Sequence, residues 1–150
     1  MNQTDTYVNG NPFARFGAKM LDELVCIALL YPFMKLYGNS PFTVIMLFVV
    51  PVAYHTYMHA SSLQATAGEY VLKLMVIRDN GARLSLRRSL ERSLAYAMPS
   101  LPAYASLSDE TTMSLVLFLA ILWYFPILLT QRAVGVHDML CGTRVVAGRT

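Results

Sequence analysis

The sequence predicts an all-α integral membrane protein: a four-span helical bundle, one span short or re-entrant, with a small cytoplasmic β-hairpin-like segment. Three observations predict it. Of 150 residues, 55% are hydrophobic and 14% charged, where a soluble domain carries about 25% charged residues. The apolar residues also run in unbroken blocks. Pro41 to Ala60 and Met113 to Thr130 contain no Asp, Glu, Lys or Arg, and about 20 such residues cross the hydrocarbon layer as a helix. Finally, Lys73, Arg78, Arg83, Arg87, Arg88 and Arg92 cluster after the first of these blocks, and Arg132, Arg144 and Arg149 follow the second. Lys/Arg excess marks the cytoplasmic side.

The elements follow in order. Residues 1–14, beginning MNQTDTYVNGNP, are polar without a basic start and read as a flexible cytoplasmic lead rather than a cleavable signal. The remainder, 15–150, reads as one membrane domain. Its first span is about 16–37. That segment carries Lys19, Asp22, Glu23 and Lys35, so its ends must snorkel or pair, and Pro32 bends it. The second span is 41–60, holding Pro51. Ser85 to Leu107 opens as SLRRSLERSLAYAM, which alone reads as an amphipathic interfacial helix. Parity of the positive-inside stretches instead requires a crossing or deep re-entrant excursion at about 90–107, before the span at 113–130. Both termini then lie in the cytoplasm and the chain in the cell (inner) membrane. The Gly38-Asn39-Ser40 turn and the Ser108-Asp109-Glu110 loop lie outside.

Between spans two and three, Gln64 to Ser85 is the one module outside the bilayer. Val71 to Ile77 is strand-like, Asp79-Asn80-Gly81 supplies hairpin turn chemistry, and Ser85 suits a helix N-cap. A lone two-stranded hairpin is marginal. The segment therefore packs against the bundle or against Gly142-Thr143-Arg144-Val145-Val146.

Charge at membrane depth marks the working part of the molecule. Arg15 and Asp22 are seven residues apart, on one helix face about 10 Å apart. Lys19 lies between them and pairs i,i+4 with Glu23. With His137 and Asp138, also near the cytoplasmic interface, these residues can form one cluster. Two readings follow: a buried ion-pair lock between helices, or a carboxylate that exchanges a proton for a small cation. His55 and His59, also i,i+4, have the spacing of an incomplete metal pair lacking a third ligand such as His137 or Asp138; polar contact between helices is the alternative.

Cys26 and Cys141 read as apolar filler rather than a disulfide. No phosphate loop, nucleophile–base pair or dinucleotide fingerprint is present, so neither an enzyme nor a cofactor is expected. The net charge of +3 is accounted for by topology and anionic lipid rather than nucleic acid.

These pieces resemble the RDD family of small integral membrane proteins, named for an arginine and two aspartates. Ala14-Arg15-Phe16 with Asp22 matches its opening. Gln64-Ala65-Thr66-Ala67-Gly68, Leu74-x-Val76, Gly81, Leu84-Ser85 and Arg92 match its middle, and His137-Asp138 with Cys141-Gly142-Thr143-Arg144-Val145-Val146 matches its end. The resemblance makes Arg15, Asp22 and Asp138 the name-giving set, and Thr66, Gly68, Arg92, Gly142 and Thr143 a cytoplasmic motif. Glu69 departs from the lysine the family commonly carries there. The resemblance implies little about activity: transport is suggested for the family, with cation–proton exchange proposed for some members. The ionisable residues at membrane depth point to a small transporter of a monovalent cation or proton, working as a homo-oligomer because four short helices enclose little pathway by themselves. The alternative is a non-transporting accessory or assembly subunit bound to another membrane protein.

Overall fold

A computed structural model describes residues 7–102, 110–130 and 133–148 of the chain. Helix α1, Pro12–Tyr37, is capped by Asn11, whose side chain accepts from the Phe13 amide, and has proline at its first position. It begins earlier than the expected span. Its 26 residues reach about 39 Å at a rise of about 1.5 Å each. Only Ala18, Asp22, Cys26 and Leu30 are buried, a four-residue spacing that makes one narrow inward stripe. Gly38 (φ +54°) ends the helix, and a three-residue turn leads into α2, Pro41–Ala60, capped by Ser40.

The segment between 60 and 86 is not a hairpin. After the short helix α3, Ala67–Val71, strand β1, Leu74–Arg78, pairs antiparallel with β2, Thr143–Ala147, from Leu74↔Ala147 to Arg78↔Thr143. The turn at Asp79-Asn80-Gly81 does form, with Gly81 at φ +81° and its amide on the Arg78 carbonyl at 2.8 Å. The residues after it run within a few positions into the Ser85 helix cap, leaving no room for a second strand, whereas Val145 and Val146 bring two β-branched side chains that are almost fully buried. Of the two packing options for this segment, the C-terminal strand is the partner. Asn9 bridges Val146, so the end of the lead also lies along β2. Leu74, Val76, Val145, Leu84 and Ala18 form the small core beneath the sheet.

Helix α4, Leu86–Ala97, is capped by Ser85 as expected and is followed by a 3-10 turn at Met98–Ser100. Its twelve residues make about 18 Å, short of a bilayer crossing. Residues 103–107 of the expected third span, the Ser108-Asp109 loop, and Arg132 and Arg149 lie outside the described residues. The packing of α4 is inverted relative to a soluble helix. Ser89, Arg92 and Ser93 are buried while Leu86, Leu90, Leu94 and Met98 face outward. That arrangement suits lipid, where an outward leucine costs nothing and an unpaired polar group is expensive.

Helix α5, Glu110–Tyr124, breaks at Phe125-Pro126 and continues as α6, Pro126–Leu129. No residue of either is buried. The Tyr124 hydroxyl donates to the Tyr96 carbonyl at 2.7 Å, docking α5 on the end of α4. The chain closes with α7, Val136–Cys141, and β2. The fold is thus mostly helical with one two-stranded sheet, and Pro41–Ala60 and Glu110–Leu129 are long and apolar enough to cross a membrane.

Candidate functional site

The name-giving residues divide into two separate arrangements. Asp138 is fully buried and sits between two arginines. Arg15 Nη2 donates to Oδ2 at 2.6 Å, and Arg92 donates to Oδ1 through Nη2 at 2.8 Å and Nε at 3.1 Å. Arg15 also reaches the Ala133 carbonyl. The Gly135 amide and the Thr143 hydroxyl fill the remaining positions on the carboxylate, at 3.3 and 3.4 Å. Burial pushes the Asp138 carboxyl up, but His137 and the Arg92 and Arg15 guanidiniums outweigh it and hold it well below the usual carboxylate range. Since His137 is itself neutral at ordinary pH, the arginines carry this effect. The cluster ties α1 and α4 to α7. Arg92 enters it as a full member, although sequence reasoning placed it only in the cytoplasmic motif.

Local structure explains the residues around Asp138. Gly142 takes the left-handed conformation (φ 58°, ψ 48°) that ends α7, returning its amide to the Asp138 carbonyl. The chain then turns into β2 with Thr143 directly over the carboxylate.

Asp22 does not meet Arg15. Its Oδ1 accepts from the Tyr54 hydroxyl at 2.8 Å and the Gly68 amide at 2.9 Å, and its Oδ2 accepts from the Thr66 hydroxyl at 2.6 Å. No ion pair reaches it among the described residues. Thr66 caps α3, accepting from the Glu69 amide while the Glu69 carboxylate accepts from the Thr66 amide. Gly68 is needed for close approach: a Cβ there would lie on the Ala18 carbonyl of α1. Tyr54, which also accepts from the Ala67 amide at 2.9 Å, escaped the sequence reading because tyrosine in a span passes for an interfacial residue.

The histidines lie alongside. His59 Nε2 is 2.9 Å from Glu69 and its Nδ1 is 3.3 Å from Arg92 Nη1. Both ring nitrogens are therefore engaged, and His55 stacks against the ring at a centroid distance of 5.8 Å, so the pair works as a contact between helices. Glu69 takes part in this contact where the family commonly has lysine. Burial would raise its carboxyl, but the His59 charge and hydrogen bond, with Arg92, hold it well below the usual range. His137 is 1% exposed, and neither ring nitrogen is hydrogen-bonded among the described residues. Its Nε2 stands 3.4 Å from Asp138. Burial lowers its pKa to about 3 against the partial support of Asp138.

Both arrangements border one cavity of about 490 Å³, lined by the polar Arg15, Lys19, Asp22, His55, His59, Glu69, Arg92 and His137 and by Tyr96, Tyr124, Phe16, Phe125, Ile121 and Leu128. Lys19 pairs with Glu23, and its ammonium sits 4.5 Å from the Tyr96 ring centroid. A cavity of this size, mostly apolar with a few convergent polar groups, has the character of a small-molecule site.

The RDD family profile matches residues 10–142, nearly the whole chain. The chain belongs to the RDD family. The protein is also similar to the uncharacterized protein YxaI of Bacillus subtilis (strain 168), 27% identical over 104 residues, which are 69% of this chain and 57% of YxaI. The chain thus spans little more than half the length of that relative. No solved structure matches it. Arg15 on α1 pairs with Asp138 on α7, while Asp22 is held by Tyr54, Thr66 and Gly68.

Proposed function

We propose that this RDD protein is a multi-pass membrane protein, both termini cytoplasmic, that moves a cation or proton through the cavity, with Asp22 as the exchanging carboxylate. The observation that supports it is how the acids of the cavity wall and its direct partners are matched. Asp138 is held by Arg15 and Arg92, Glu69 by His59, and Glu23 by Lys19. Asp22 has only neutral donors among the described residues. Asp138 is the fixed part: two guanidiniums hold it ionised, so it serves as the lock. On this reading α1, α2 and α5–α6 cross the bilayer, with the segment from Leu86 onward as a short or re-entrant crossing.

The test is cation-driven pH change in proteoliposomes carrying an interior pH dye, with Na⁺, K⁺ and Li⁺ pulses. Wild type is expected to respond, and folded Asp22→Asn to lose the response. A well-folded wild type silent under every gradient would sink the proposal.

A second reading, an accessory subunit bound to another membrane protein, is favoured by the face of Glu110–Leu129, where no residue is buried. Stoichiometric co-purification with one partner, together with a silent flux assay, would support it over transport.

A further inference from the structure

We infer that the cavity accepts an organic cation, an amine or quaternary ammonium with an apolar body. This rests on reading the Asp22 cavity as a cation site and names the class of cation.

The cavity offers a cation apolar and aromatic surface. The rings of Tyr96 and Tyr124 stand 5.2 Å apart, and His137 meets Tyr96 edge-on at 5.0 Å. Aromatic faces are how proteins hold organic ammonium groups.

The chain supplies its own example. Lys19, on the cavity wall, carries its ammonium 4.5 Å from the Tyr96 centroid while paired with Glu23. The Lys19 and Glu23 side chains are 31% and 47% exposed. Neither side chain is buried, so the pair can open without enclosing a charge. A free ammonium compound can take the place of Lys19 over Tyr96 with Glu23 as counter-charge, its apolar body lying against Phe16, Ile121, Phe125 and Leu128. Lys19 then acts as a tethered competitor that leaves when the ligand arrives.

The probe is benzyltrimethylammonium, measured by equilibrium dialysis against full-length protein in nanodiscs, with empty nanodiscs as the blank. Saturable binding is expected. Lys19→Met, which removes the competitor, is expected to tighten it several-fold. Tyr96→Leu is expected to weaken it about tenfold, and Tyr96→Phe, which keeps the π face, to restore it. Thermal unfolding of each variant separates loss of the site from loss of the fold. Equal binding of the uncharged isostere neopentylbenzene would overturn the inference, leaving an apolar or lipid-filled pocket. No saturable binding to wild type or Lys19→Met would also overturn it. If Na⁺-driven flux persisted in that case, the cation-transport reading would stand and only the organic class would fall; without flux, both would fall.

Discussion

Asp22 and Asp138 carry the same chemistry into different surroundings. Asp138 balances two buried guanidiniums, so replacing it strands charge on both. Asp138→Asn is expected to destabilise the protein by roughly 3–5 kcal/mol, read as loss of thermal stability in detergent. Restoring part of that loss by also changing Arg15 to Met would identify the penalty as stranded charge. The same residues set the response to acid. His137 is neutral in the fold down to about pH 3 but titrates near 6.5 when unfolded. The unfolded state therefore binds the extra proton, and stability falls as pH drops from about 6.5 towards 3, by at most about 1.4 kcal/mol per pH unit. Asp138 and Glu69, both depressed, contribute stability that is present above the ordinary carboxylate range and lost below it. His137→Asn should flatten the decline between pH 6.5 and 4.5 in thermal unfolding while leaving the steeper loss below pH 4. An unchanged slope would show that His137 is not the group titrating.

At the scale of elements, α3 is five residues long and too short to hold itself together. It is fixed by Asp22 at its N-terminus and by Gly68 against α1. Gly68→Ala puts a methyl group on the Ala18 carbonyl, a collision with backbone that no rotamer relieves. The expected result is separation of α3 from α1, seen as faster hydrogen exchange across 66–72 and a lower melting temperature. An unaffected Gly68→Ala protein would mean that the two helices are not so closely packed. Helix α4 makes the complementary case. Its leucines face outward and its serines and Arg92 face in, with Ser89 donating to the Thr56 carbonyl of α2 at 2.7 Å, so its inner face is held by polar contacts.

For the whole molecule, the consequence of the inverted packing is an orientation. Asn39, exposed in the α1–α2 turn, and Arg87, 90% exposed in its side chain, are on opposite sides in the proposed topology. Asn39→Cys is expected to react with a membrane-impermeant maleimide on intact cells, and Arg87→Cys only after permeabilisation. The native Cys26 and Cys141 are 3% and 7% exposed and should stay silent. Labelling of both introduced cysteines from one side would rule out the topology.

What was legible in the sequence was what depends on near neighbours. Block length and composition pointed to a helical fold with helices long and apolar enough to cross a membrane, and two such helices are present. Ser85 announced the start of α4, Asn80-Gly81 its turn, and the order of motifs the family. The pairing of β1 was not legible: turn chemistry pointed to a hairpin, but the strand pairs with Thr143–Ala147, because strand pairing depends on which distant segment brings the better buried face. The site was legible as a set of residues but not as an arrangement. Helical spacing puts Arg15 and Asp22 on one face, yet Arg15 pairs with a carboxylate 123 residues away, and Asp22 takes donors 32, 44 and 46 residues away. Periodicity along one helix says which way a charge points. Only the packing of α1, α2, α3, α4 and α7 decides what it meets there, and so which aspartate is locked and which remains available.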